Sequence, residues 1–333
     1  MPGKSNLEAL RVDLLQHPAV RAWGELGLLR LEPERVGRLY NEKKTQVYKL
    51  HGVGPDGSNV IAKRSRRRNA LLEQKVYEKI LPQLPLLGLH YYGCVEEPEG
   101  TYCWLFLEEA RGLQYSPQLK EHREWAAQWI AAMHASAAGI SGVAALPDRS
   151  ARYYLQPLRE AHAEMQQALG NPVLTANRGH VALVETMMSQ LEELERKWDE
   201  VAAYCERIPS TLVHGDLNAS NVRVRRTEHK YRMVVIDWEK AGWGVPAIDL
   251  SQLGGQLSIS PDLSVYQSLI QASGSPLGIE NIGRLAHVGA IFRLISGIRW
   301  ATRCLLTRWV EEGIWDLEYY EPRVARWMER TGW

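Results

Sequence analysis

Thr211 to Val224 reads TLVHGDLNASNVRV, and Met233 to Glu239 follows it as MVVIDWE. Thr211-Leu212-Val213 and Val222-Arg223-Val224 have the β-branched character of short strands. Between them His214-Gly215-Asp216 turns tightly, and Asn218 and Asn221 tolerate turn conformations. The apolar run from Met233 to Ile236 is short enough for a buried strand and delivers Asp237 at its end. Two acidic groups and an amide can therefore converge. Buried carboxylates are costly unless a cation, a hydrogen-bond network or a proton holds them together, and a hard divalent ion such as magnesium is the simplest resident.

A lone His-Gly-Asp is an ordinary turn; the five-residue step from Asp216 to Asn221, with a strand-borne Asp237 downstream, is the selective feature. His214-Gly-Asp-Leu-Asn-Ala-Ser-Asn221 together with Ile236-Asp-Trp-Glu239 resembles the signature of the aminoglycoside phosphotransferase and choline kinase superfamily, relatives of the protein kinases. The resemblance implies an α+β, bilobal protein-kinase-like fold with a small antiparallel-sheet N-lobe and a larger, mainly helical C-lobe. It implies Asp216 as the base facing a substrate hydroxyl, with His214 bracing the loop and Asn218 completing the catalytic set. It implies Asn221 and Asp237 as magnesium ligands, and ATP as the nucleotide, with GTP left open.

At 333 residues and 45% hydrophobic composition the chain can bury a substantial core, and a formal net charge of +1 argues against a dedicated nucleic-acid binder. Lys63 to Arg68, KRSRRR, is a local basic run whose simplest reading is a solvated turn. Cys94, Cys103, Cys205 and Cys304 have no paired spacing, which suggests free thiols in a reducing cytoplasm. The start lacks the apolar core of a signal peptide and no stretch reaches the length of a membrane span, so a cytoplasmic protein without membrane or nucleic-acid partners is expected. Gly3-Lys4-Ser5 looks like the end of a phosphate-binding loop, but no strand can precede it there.

Three regions are expected: a helical leader over 1–34, a nucleotide-binding lobe over 35–110 and a helical lobe over 111–333 carrying the catalytic loop (211–224) and the metal-binding strand (233–239). Leu7 to Leu31 has near-helical apolar spacing broken at Pro18. Val36–Tyr40, Gln46–Leu50 and Asn59–Lys63 read as three antiparallel strands. By the resemblance, Lys63 in VIAK is the phosphate-reaching lysine; read alone it is a surface strand lysine. The hairpin NEKKT lacks glycine, so Lys43, Lys44 or Thr45 would have to replace backbone contacts to phosphate. Asn69 to Leu81 reads as a helix, and the resemblance makes its Glu73 the ion-pair partner of Lys63, with Glu78 the alternative. Thr101 to Leu107 reads as a buried strand, and Glu108 to Gly112 resembles the hinge, where adenine would bond main-chain groups near Glu108 and Ala110.

Beyond Gly112 the pattern is helical. Trp125, Trp129 and Met133 fall on one face, and His134 reads as structural. Arg149 to Cys205 resembles the superfamily's helical insertion, with Val184, Met188, Leu191, Leu194, Trp198 and Val201 as its packing stripe. Asp249 is similar to the family's second downstream aspartate but also suits a helix N-cap. The short interval from Asp237 to Asp249 leaves little room for peptide docking, which favours a small-molecule acceptor over a protein. Trp300, Trp309, Trp315, Tyr319, Tyr320 and Trp327, interspersed with carboxylates, either pack helices or hold a cationic acceptor. A catalytically silent nucleotide-binding module is the alternative to a small-molecule kinase.

Overall fold

The computed structural model describes residues 14–27, 32–41, 45–228, 231–253, 261–275 and 277–331. They form two compact units. One holds the described residues up to Tyr115 with Ile140–Gly142 and Ser220–Ala241; the other holds the remainder.

The first unit is built on a five-stranded antiparallel sheet in the order β1 (Arg35–Asn41), β2 (Gln46–His51), β3 (Val60–Arg66), β5 (Tyr102–Glu108), β4 (Tyr91–Glu96). Strand alternation sorts its faces. Val60, Ala62, Trp104 and Phe106 pack with Ala19, Val20 and Trp23 of the helix α1 (Pro18–Glu25), where the Trp23 and Phe106 rings lie 5.3 Å apart. The intervening Lys63 is turned instead toward the helix α2 (Arg67–Lys75). Residues 7–13 and 28–31 of the expected leader lie outside the described residues, as do Lys43 and Lys44.

Two expectations are corrected here, and one strand is added. The basic run is not a solvated turn: it is the end of β3 and the start of α2, with Lys63 and Ser65 buried and Arg64 bonded to Glu97 through two nitrogens at 2.6 Å. The helix expected from Asn69 to Leu81 begins at Arg67 and gives way to a π-turn over Val76–Ile80 and a 3₁₀ turn holding Pro82. Strand β4 went unread, because Gly93 interrupts its pattern and a register shift falls between Tyr91 and Gly93.

A second, three-stranded sheet runs β10 (Tyr231–Val235), β9 (Val222–Arg226), β6 (Leu113–Gln114). In the β9–β10 hairpin Val222 pairs with Val235, and the Ile236 amide donates to the Asn221 carbonyl at 3.0 Å. Asn221 and Asp237 therefore leave the hairpin at the same end.

The second unit is mainly helical. It comprises α3 (Lys120–Ser136), α4 (Ala151–Ala168), α5 (Pro172–Thr175), α6 (Arg178–Arg196), α7 (Trp198–Glu206), α8 (Asp249–Gln252), α9 (Leu263–Ala272), α10 (Ile279–Leu305) and α11 (Val310–Thr331). Its small sheet orders β7 (Asp148–Arg149), β11 (Gly242–Gly244) and β8 (Thr211–Val213). Stacking of Tyr154 on Phe292 at 3.9 Å joins α4 to α10. The α6–α7 stripe buries Val184, Leu191, Leu194, Trp198 and Val201 as expected, but Met187, not Met188, is the buried methionine. Among the described residues no helix is long and apolar enough to cross a membrane.

Candidate active site

In the first unit Lys63 is surrounded by carboxylates. Its Nζ pairs with Glu73 and lies 2.6 Å from Asp237 Oδ1 and 3.6 Å from Glu239 Oε2. Lys63 is 8% and Glu73 1% exposed, so the pairing takes place largely out of water. Burial alone would lower the lysine pKa, but Glu73, Asp237 and Glu239 outweigh it and raise it, keeping the ammonium charged. Burial raises Glu73 to about 7, with Lys63 pulling the other way. One ammonium thus serves three carboxylates, and the surplus negative charge falls hardest on the most buried of them. Glu78, the alternative partner, is exposed and bonds Lys79 and Gln74 instead.

Asp237 has a φ of 70°, in the left-handed region that a non-glycine side chain seldom occupies. Such strain persists only where surroundings enforce it, and it is a frequent mark of a working position. The carboxylate oxygens of Glu73, Asp237 and Glu239 lie within 4.8 Å of one another. Oxygen donors with excess negative charge fit a hard divalent cation, and Asn221, at the same hairpin end as Asp237, adds an amide oxygen to the available set. Glu239 and its partner Asn69, bonded at 3.2 Å, are additions that sequence reasoning missed. The only signal for Glu239 was its place in the Ile236–Glu239 motif.

The second unit holds His214, Asp216 and Asn218 on a loop whose backbone donors are accounted for one by one. Gly215 turns the chain at φ 77°, a conformation glycine adopts without strain. The His214 and Gly215 amides donate to Asp249 Oδ2 and Oδ1 at 2.9 and 3.0 Å. The Asp216 amide donates to His214 Nδ1 at 3.2 Å, and the Leu217 amide donates to Gln252 Oε1 at 2.5 Å. The Asn218 amide donates to the Asp216 carbonyl at 2.8 Å, while the Asn218 side-chain amide reaches Asp216 Oδ1 at 3.3 Å. Asp216 is partly exposed between two buried neighbours, so its carboxylate can meet a solute while its backbone is fixed.

Asp249 is the buried centre of this arrangement, 0% exposed. His134 Nε2 lies 3.4 Å from its Oδ2, and His134 Nδ1 lies 2.9 Å from the Tyr266 hydroxyl. The N-cap reading of Asp249 is corrected: α8 is capped by Ile248, and the carboxylate serves the loop instead. His134 is structural, as its position on α3 suggested.

The profile of the phosphotransferase enzyme family matches residues 45–286, which take in both the lysine cluster and the loop. The chain belongs to that family. No curated protein sequence matches it. Among solved structures, the apo form of a thermostable mutant of aminoglycoside phosphotransferase APH(4)-Ia is 13% identical with a TM-score of 0.56, covering 91% of this chain and 97% of that one. The GDP and kanamycin complex of APH(2")-IIia is 14% identical with a TM-score of 0.58, covering 88% and 94%. Spectinomycin phosphotransferase APH(9)-Ia, in complex with ADP and spectinomycin, is 13% identical with a TM-score of 0.57, covering 90% and 94%. At these identities the likeness is one of fold, and the fold is that of the aminoglycoside phosphotransferases, α+β and protein-kinase-like.

Within this phosphotransferase-family chain, the expected hinge follows β5. The Glu108 amide is engaged with the His90 carbonyl at 2.8 Å, and its carboxylate pairs with Arg225 at 3.0 Å. The Glu108 main-chain N–H, in the segment expected to meet adenine, is thus already bonded to the His90 carbonyl. A cavity of about 470 Å³ adjoins the segment, lined by Asn59, His90, Glu108, Glu109, Arg111 and Arg225 among others. In the C-terminal helices Trp327 is buried and donates to the His287 carbonyl, whereas Trp300, Trp309 and Trp315 are exposed. Burial, reinforced by the nearby Glu312, raises the Asp316 pKa.

Proposed function

We propose that the protein is a magnesium-dependent small-molecule kinase that transfers the γ-phosphoryl group of ATP to a hydroxyl of a small acceptor. The observation that carries this reading is the Lys63 cluster: an ammonium kept charged by three carboxylates, beside the hairpin end that presents Asn221 and Asp237. Such a group suits a polyphosphate accompanied by a hard cation. Magnesium, when bound, supplies neutralisation of phosphate charge, and Asn221 and Asp237 would hold it, with Glu239 in reach of the same set.

Lys63 would bind phosphate oxygens, and Glu73 would keep the lysine extended toward them. Asp216 would accept the proton of the acceptor hydroxyl as that oxygen bonds to the γ-phosphorus and the bond to the β–γ bridging oxygen breaks, releasing ADP. General-base participation of this kind contributes ~10²–10⁴-fold. His214 and Asn218 would orient Asp216 and its loop. A hydroxylated amine or aminoglycoside-like acceptor is favoured, because exposed Trp309 and Trp315 stand close in sequence to Glu312 and Asp316, a segment that offers aromatic faces and carboxylates to a cationic group.

The test is acceptor-dependent ADP release with magnesium over a panel of aminoglycosides, amino alcohols, sugars and nucleosides, with Asp216→Asn as control. Turnover with one class, lost in the control, is expected. ATP binding without turnover on any member would favour a silent nucleotide-binding module.

A further inference from the structure

The helix α8 presents Asp249 and, three residues on, Gln252 on one face toward the loop. Asp249 takes the amides on the N-terminal side of Asp216. Gln252 spans both sides with the two ends of its side chain: Oε1 accepts from the Leu217 amide at 2.5 Å and Nε2 donates to the Gly215 carbonyl at 3.0 Å. Those two peptide groups flank Asp216 directly. Gln252 is 7% exposed, so water offers little substitute for either bond.

A carboxamide can accept from one backbone group and donate to the next at this spacing without taking up a proton. A carboxylate would face the Gly215 carbonyl with a second oxygen, and an apolar side chain of equal length would leave both backbone groups unmatched. The support beneath is rigid. A Cβ at Gly289 of α10 would meet the Ala247 carbonyl oxygen at 1.8 Å, so α10 lies directly against the turn from which α8 starts.

We propose that Gln252 is a positioning residue for phosphoryl transfer, acting through Asp216 by clamping the peptide groups on either side of it. The inference rests on Asp216 being the base. Its contribution should appear in the chemical step and not in nucleotide binding, because a misplacement of about 1 Å in a catalytic group can lower the rate by about 100-fold.

The variants are Gln252→Met, of equal length with neither hydrogen bond, and Gln252→Glu, which keeps the acceptor for Leu217 and loses the donor to Gly215. Rates are measured with MgATP and whichever of kanamycin, spectinomycin, hygromycin B or choline reacts fastest, or with water as acceptor if none does. Gln252→Met should lower kcat roughly 10–100-fold and leave KM for ATP within about twofold, with Gln252→Glu between it and the parent. In an Asp216→Asn background, Gln252→Met should lower the residual rate by less than about twofold, because the group it positions is already gone. An unchanged kcat in folded Gln252→Met, or an equal loss in both backgrounds, overturns the proposal while leaving Asp216 as the base. Normal turnover by Asp216→Asn alone overturns both. Should Gln252→Met fail to fold, amide hydrogen exchange of the parent decides: Leu217 is expected to be protected to the level of Leu250 in α8, and free exchange at Leu217 overturns the clamp.

Discussion

The lysine cluster and the loop from His214 to Asn218 are both polar and largely buried, yet they are built on opposite plans. Around Lys63 charge is out of balance, one ammonium against three carboxylates, and one of those carboxylates is pushed up to about 7. Along the loop from His214 to Asn218 each backbone amide has a partner. An unbalanced cluster gains from taking up a charged ligand, whereas a satisfied network gains nothing from one and resists displacement. The first arrangement suits binding and the second suits holding a reactive group still.

That contrast can be broken most sharply at Asp216. Asp216→Asn should reduce turnover by ~10²–10⁴-fold while melting within a few degrees of the parent, since its side chain is not the group that secures the loop. Steady-state kinetics beside a thermal melt measures both.

Lys63→Met probes the other region and should act on stability as well as activity. Removing one partner of a buried ion pair costs about 3–5 kcal/mol, and here three carboxylates are left facing one another. Denaturant unfolding should show the larger loss at pH 8 and a smaller one at pH 5, where Glu73 takes up a proton. A loss independent of pH would mean that the cluster is not charged as described.

Asp249→Asn is the corresponding change behind the loop. It retains one acceptor for two amides and should cost about 1–3 kcal/mol, with little dependence on magnesium. Equilibrium unfolding with and without magnesium separates this from the lysine cluster.

A further effect expected of the same cluster is a pH slope. Glu73 binds its proton more tightly folded than unfolded, so its contribution to stability is fully present below about 4.5 and is lost as pH rises through about 7. The nucleotide-free protein should therefore lose stability over that window, and Glu73→Gln should flatten the loss. A slope of opposite sign would place the Glu73 pKa below its ordinary value.

The sequence reading succeeded where local chemistry and chain order sufficed. The fold class came from the resemblance carried by the two motifs, with which three strand-like runs agreed, and the proximity of Lys63 and Glu73 followed from matching β3 and α2 to the same resemblance. It failed where a pattern was interrupted or a partner was distant. Gly93 hid β4, and the π-turn after α2 cannot be read from helical spacing. The basic run looked solvated because Glu96 and Glu97, which pair with Arg67 and Arg64, lie some thirty residues downstream. Asp249 was singled out only by its likeness to a family aspartate, and Gln252 looked like an ordinary residue of a short helix, because their work is done on backbone groups, which leave no trace in the identity of residues 214–217.

The most direct test of the division between a region that binds and a region that acts is calorimetric titration of ATP, with and without magnesium, into the parent, Asp237→Asn and Asp216→Asn. The account predicts that Asp216→Asn keeps magnesium-ATP affinity within about threefold of the parent, and that Asp237→Asn loses at least about tenfold, most of it in the magnesium-dependent part. Binding that survives in Asp237→Asn, or that disappears in Asp216→Asn, would contradict it.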